Sequence, residues 1–345
     1  MARSAAVLVF LLLCALPCLA VTDAELYGPA GVTPQAVRQG TIGSCYFYAT
    51  VASIARARPE VLRKAILRDS GGDVSVRFAD GETEAVSPRD VEFARTSNYD
   101  QSDGLWVAVL LRGFAQRTLR KAMQDWVERA NLGPLTGKLA AAALGNDLVL
   151  TAYDRAIRSQ VDQVGGLDRQ RLKARLRQEL DSVPAPDSWK DSAVDDVDSS
   201  GFFDSLSEQV KANGELFGAY RAVGQGGIVG RVLLAFLGPA ETRRVLNASE
   251  VLAAMDAALR RGAAVVASTG DSTWGAVATR SGAPAGPAAE QWYVARHAYS
   301  VLAVNQSKRT ITLRNPWGDH PKPNGEFTIP AELFAVAYGV VDMSD

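Results

Sequence analysis

A single thiol constrains this chain more than any other feature. Of its three cysteines, Cys14 and Cys18 lie in an apolar leader, and only Cys45 lies beyond it. A chain with one thiol cannot close an internal disulfide, so its fold must rest on buried apolar surface. There is enough of that: 345 residues, 47% of them apolar, suffice for one large domain or two modest ones. The formal net charge of −1 removes any broad electrostatic case for a nucleic-acid partner. In an oxidising compartment a lone thiol is either buried and inert or retained for its reactivity.

The leader itself reads as a secretory signal peptide over residues 1–20. Arg3 supplies the positive start, Ala5 to Leu13 the apolar run, and Cys18-Leu19-Ala20 a small-residue cleavage site. The apolar run is short for a bilayer span, and no later stretch is long and apolar enough to cross one. Pro17 and Leu13, preceding the two leader cysteines, argue against lipoprotein processing. The expectation is a secreted or periplasmic protein cleaved after Ala20, with no membrane partner afterwards.

Around Cys45 the residues suggest chemistry. Gln39-Gly40-Thr41-Ile42-Gly43-Ser44 is a glycine-punctuated loop, and the alanine-rich stretch from Cys45 to Ala55 before Pro59 reads as a buried helix. A thiol in the first helical turn faces unpaired amide N–H groups and the positive end of the helix dipole, which favours the thiolate. Gln39 could place its side-chain amide beside the Cys45 backbone N–H, and two such donors make an oxyanion hole.

A thiolate nucleophile needs a base, and the chain offers only His297 and His320. His297 opens a strand through Val304, Thr310–Asn315 reads as a second strand, and Asn305–Lys308 reads as the turn between them. With Gln306 and Ser307 as the turn residues, His297 falls opposite residue 316, beside Asn315. Cross-strand neighbours sit about 5 Å apart, so the hairpin brings an orienting amide to the imidazole. His320 follows in a polar Gly/Pro loop and reads as a surface residue. Trp292, Tyr293 and Tyr299 read as core or cleft lining.

The segments Gln39–Tyr46, His297-Ala298-Tyr299-Ser300-Val301 and Arg314-Asn315-Pro316-Trp317-Gly318 resemble the three catalytic motifs of the calpain-like cysteine protease family. Gly104–Leu111, Tyr220–Gly227 and Asn324-Gly325-Glu326-Phe327 resemble further calpain stretches in the same order. The resemblance implies an α+β, papain-like calpain protease core. A helical half would carry Cys, an antiparallel-sheet half would carry His and Asn, and the site would lie in the cleft between them. It also implies the roles: Cys45 as nucleophile, His297 as base and then acid, Asn315 as orienter, Gln39 as oxyanion donor. Trp317 would shield the His–Asn hydrogen bond from water. Ser44 and Tyr46 depart from the family's usual Asp and Trp.

Relative to calpains, the chain carries a long insert between Leu105 and Tyr220. Within it Arg117–Asn131, Lys138–Val164 and Leu167–Ser182 read as helices, separated by Gly133-Pro134 and Gly165-Gly166 and followed by Pro184-Ala185-Pro186. Five cations between Arg169 and Arg177 read as a solvated helix face. From Asp187 to Glu208 seven acids face Lys190 alone, making an acidic tail. Asp196-Val197-Asp198-Ser199-Ser200-Gly201 matches the start of an EF-hand loop, but position 12 is Ser207 instead of Glu. Asn247-Ala248-Ser249 and Asn305-Gln306-Ser307 match glycosylation sequons.

The domains expected are the signal peptide (1–20), a helical Cys-bearing subdomain (21–116 with 216–238), a helical insertion with an acidic tail (117–215) and a β-rich subdomain (239–345). The insertion reads as a lid, a substrate-binding appendage or a built-in inhibitory segment. The expected function is a cysteine endopeptidase acting through a thioester on protein or peptide substrates, as a monomer. No cofactor is required, with calcium left open. The alternatives are a latent or inactive binding module, and a transglutaminase-type acyl transferase. Asn315 argues against the latter, which generally uses Asp.

Overall fold

The computed structural model describes residues 21–69, 73–129, 152, 155–156, 168–182, 187–199, 219–245, 247–281, 293–318 and 325–345. The expected signal peptide, most of the expected helix 138–164, Trp292, His320 and Asn324 lie outside these residues. The chain divides into one compact unit of Met1–Gly113 with Gly226–Asp345 and a second of Phe114–Gln225. The fold class is α+β.

The first unit opens with helix α1 (Asp23–Tyr27), held by a reciprocal cap between Thr22 and Glu25. Helix α2 (Cys45–Ala57) follows, and every residue from Tyr46 to Ala55 on it is buried. Pro59 starts α3 (Pro59–Ala65) and stops α2 from continuing. An antiparallel meander of β1 (Ile66–Arg68), β2 (Val74–Arg77) and β3 (Thr83–Val86) then appears in a half expected to be helical. Strands this short carry too little alternation to be seen in sequence. Ser87 caps α4 (Pro88–Thr96) by accepting from the Asp90 N–H. Helix α5 (Trp106–Arg129) is continuous where separate segments at 104–111 and 117–131 were expected, and Trp106 to Leu111 are all buried.

In the second unit, α6 (Arg169–Asp181) starts at the Asp168 cap and buries Leu172, Leu176 and Leu180 on one face. Helix α7 (Asp187–Ser199) buries Val194 and Val197. The α6 cations are not simply solvated. Lys173 reaches Asp195 at 3.5 Å, Arg177 pairs with Asp191, and Arg175 pairs with Glu179 at 2.5 Å. The EF-hand reading of Asp196 fails, because 196–199 stay helical where a calcium loop would have left its helix. The short helix α8 (Ala219–Gly224) follows.

Back in the first unit come α9 (Val229–Leu237), β4 (Ala240–Arg244), α10 (Ala248–Arg260), β5 (Val265–Thr269) and α11 (Trp274–Ser281). The chain ends with β6 (Ala298–Asn305), β7 (Thr310–Arg314), β8 (Glu326–Pro330), α12 (Ala331–Ala337) and β9 (Tyr338–Ser344). The six strands form an antiparallel sheet in the order β4-β9-β5-β6-β7-β8. Its side chains divide by strand alternation. Tyr299, Val301, Val265 and Ala267 join a core with Leu252, Met255, Trp274 and Phe334. Ser300, on the opposite face, donates to the Ala49 carbonyl of α2 at 2.7 Å.

The β6–β7 hairpin differs from its expected register. The turn spans four residues, 306–309, with Arg309 left-handed at φ 51°, and Asn305 pairs with Thr310. A bulge at Leu302 then shifts the pairing to Ser300↔Arg314. Asn305 Oδ1 accepts from Lys308 N–H, an Asx turn that a two-residue reading missed. No helix among the described residues is long and apolar enough to cross a membrane.

Candidate active site

Cys45 is the first residue of α2. Burial pushes its thiol above the ordinary value, while the backbone N–H groups of Ala298, Tyr46 and Cys45 itself oppose that shift. This runs against the expectation of a favoured thiolate: desolvation is the largest influence and outweighs the N-terminal donors. The Ala298 N–H, one residue from His297, is the largest of the groups that oppose that shift. Its place beside Cys45 follows from packing. The Ser300–Ala49 bond sets α2 against β6, and stepping back one helical turn and two strand residues leads from that bond to Cys45 and Ala298.

His297 sits just ahead of β6 with only 6% of its surface exposed, and its N–H donates to Thr269 Oγ1 at 2.9 Å. Its Nε2 lies 3.0 Å from Asn315 Oδ1, just past the end of β7. The Trp317 N–H, which can only donate, reaches the same oxygen at 3.1 Å. Asn315 Oδ1 is therefore an acceptor and Nε2 donates to it, which leaves Nδ1 as the ring nitrogen for proton exchange. The two residues meet despite the shifted register, because both lie past the paired strand ends. The Trp317 ring lies 4.8 Å from the imidazole, centre to centre, and Tyr299 meets it edge-on at 4.9 Å.

Gln39 is buried and tied to the other half of the site: its N–H donates to the Pro316 carbonyl at 2.8 Å. Its Nε2 donates to the Ile42 carbonyl at 2.6 Å, and its Oε1 has no hydrogen-bond partner among the described residues. Arg314, wholly buried, reinforces the junction by donating to the Val37 carbonyl at 2.6 Å. Burial pushes that guanidinium down to about 10, with Glu326 opposing. Ser44 is wholly buried in the loop, and the Tyr46 ring packs so closely that a Cβ on Gly227 would come within 2.4 Å of it.

Two features escaped the sequence reading. Ser53 Oγ both donates to and accepts from Val265, at 2.9 and 2.7 Å, fixing α2 to β5. Residues 98–102 pair with the loop carrying Gln39, through Gly40 N to Tyr99 O at 3.1 Å and Thr41 N to Asn98 O at 2.8 Å. Gly40 was the available signal: a Cβ there would lie 1.9 Å from the Asn98 carbonyl oxygen. As for calcium, the described residues hold no group of three or more His, Cys, Asp or Glu that could bind a metal.

A thiol at a helix start near an amide-oriented imidazole is an arrangement suited to thiol-dependent acyl chemistry. A family model described as calpain family cysteine protease matches residues 182–333 of the chain. The match includes His297 and Asn315, whereas Gln39 and Cys45 lie upstream and join the site through the geometry above. No curated protein matches the chain significantly.

Proposed function

We propose that the protein is a secreted or periplasmic, monomeric cysteine endopeptidase that cleaves protein or peptide substrates through a thioester acyl-enzyme. The observation that carries this reading is the shared acceptor at Asn315 Oδ1, which directs the His297 lone pair to Nδ1. In a neutral resting site, His297 Nδ1 takes the Cys45 proton as the sulfur attacks the scissile carbonyl. The resulting oxyanion is met by the Cys45 backbone N–H and the Gln39 amide. His297 then returns the proton to the departing amine. Water, deprotonated by the same imidazole, releases the acyl group and restores the thiol.

Desolvation raises the Cys45 thiol, so in this scheme it gives up its proton as the imidazole takes it. No step runs through a metal ion. The testing experiment is labelling with an epoxide-type thiol-protease inhibitor, mapped by mass to Cys45, together with Cys45→Ala. Hydrolysis of denatured protein should vanish in that variant while the fold persists, and retained turnover would sink the mechanism.

A further inference from the structure

Resting on the peptidase reading, we infer that Asp100 is a positioning residue that sets the distance between the oxyanion donor Gln39 and the nucleophile Cys45. Asp100 is 2% exposed and lies between the helix that bears the thiol and the loop that bears the amide. From α2, the Tyr48 hydroxyl donates to Asp100 Oδ1 at 3.1 Å and to the Tyr99 carbonyl at 2.9 Å. Tyr48 is three residues from Cys45, so it stands on nearly the same side of the helix.

From the loop side, Ser102 Oγ donates to the same Asp100 oxygen at 2.7 Å and accepts from Arg38 N–H at 2.9 Å. Gln101 N–H donates to the Arg38 carbonyl at 3.1 Å, and Gln39 itself bridges Asp100 in antiparallel pairing. Arg95 Nη1 closes the cluster on Asp100 Oδ2 at 3.2 Å and also reaches the Ser102 and Gly104 carbonyls. One carboxylate therefore joins α2, α4 and the 38–41 segment. Burial raises the Asp100 carboxyl, while Ser102, Arg95 and Tyr48 hold against that shift. An apolar filler could occupy the space but could not specify the register of the loop against the helix. An acceptor with four lone-pair sites can.

The position matters because an oxyanion donor is useful only within about 3 Å of where the charge develops. Asp100→Asn keeps the shape but turns one acceptor into a donor, facing either Tyr48 and Ser102 or Arg95. We expect kcat to fall about 10-fold, with KM within about twofold. Affinity for a peptide aldehyde, whose hemithioacetal oxygen occupies the oxyanion position, should fall by the same factor. Alkylation of Cys45 by iodoacetamide, which builds no oxyanion, should keep its wild-type rate. In a Gln39→Ala background, Asp100→Asn should cost almost nothing further, since the two act as one unit. Tyr48→Phe and Ser102→Ala each remove a hydroxyl that holds Asp100 and a neighbouring backbone group without stranding a charge, and they give the same ratios should Asp100→Asn fold poorly. An aldehyde affinity equal to wild type, a parallel loss of alkylation, or a full 10-fold loss in the Gln39→Ala background would overturn the inference. A wild-type chain with no peptidase activity would instead remove the reading beneath it, a result distinct from any of these.

Discussion

Asn315→Ala tests the centre of the site, and its size can be worked from the structure. Asn315 has no exposed surface, and its Oδ1 accepts from the buried His297 Nε2 at 3.0 Å and the partly buried Trp317 N at 3.1 Å. Removing the acceptor orphans both, at about 1–3 kcal/mol each. The Trp317 share falls on folding stability, because that N–H belongs to a turn that turnover does not alter. The His297 share falls on the barrier, because the ring loses the partner that keeps the proton on Nε2 and then stabilises the imidazolium. At 1.36 kcal/mol per tenfold, kcat should drop roughly 5- to 150-fold. The assay is an internally quenched peptide at neutral pH, run beside iodoacetamide alkylation of Cys45 followed by mass. Alkylation should proceed, since the thiol is still present and accessible to a small reagent. A kcat within twofold of wild type would refute the claim that Asn315 orients the base.

Gly40→Ala should lower kcat by more than it lowers the melting temperature, because the added Cβ would sit 1.9 Å from Asn98 O and displace the Gln39 loop; an unchanged kcat would contradict this. Ser53→Ala removes both hydrogen bonds to Val265 from a buried position, so chemical denaturation should show a loss of about 2–4 kcal/mol; a loss under 0.5 kcal/mol would be too small for that account. Burial raises the Asp342 carboxyl from its ordinary 3.8, with Thr242 opposing. A raised carboxyl favours folding below its unfolded value and loses that advantage as pH climbs through the folded one. Asp342→Asn keeps an acceptor for Thr242 Oγ1, so it should raise the melting temperature at pH 7 and leave it nearly unchanged at pH 3; an equal gain at both would rule out the buried charge as cause.

The residues that sequence reasoning could reach were those whose chemistry forces their type. Only Cys45 could serve as the thiol beyond the leader, and glycine punctuation followed by an alanine-rich run is enough to place it at the first turn of α2. The His297–Asn315 pairing was legible as proximity but not as register. A bulge at Leu302 and a four-residue turn leave no trace in a count of alternating residues, and the pair meets because both lie beyond the ladder. Desolvation of the partly buried thiol was not legible, since it depends on how α2 seats against β6, and so the direction of its shift came out reversed. Asp100 was invisible for a different reason. It belongs to a polar run, Ser97 to Asp103, that has neither apolar period nor motif, and its side-chain partners Tyr48, Arg95 and Ser102 come from α2, α4 and its own loop. The acidic stretch at Asp187–Ser199 misled in the opposite sense. Its composition read as an acidic tail, yet buried Val194 and Val197 and cationic partners on α6 accompany a helix there.

What holds these parts in place is the way α2 is anchored. A helix whose middle is buried on every side gains most of its stability from apolar contact, and apolar contact has no direction, so burial alone would let the helix slide along its axis. Three polar groups remove that freedom. Tyr48 OH reaches Asp100 and Tyr99, the Ala49 carbonyl accepts from Ser300, and Ser53 both donates to and accepts from Val265. They point to the loop-bearing ribbon, to β6 and to β5, so no single displacement can keep two while giving up one. A slip of one turn, about 5.4 Å, would break all of them together and leave several buried groups unsatisfied, at about 1–3 kcal/mol apiece. The alanines at 49, 52 and 55 let the helix come close enough for short hydroxyl side chains to reach across. Cys45, at the end of this fixed rod, is thereby held to the same fraction of a turn against Ala298 on one side and the Gln39 loop on the other.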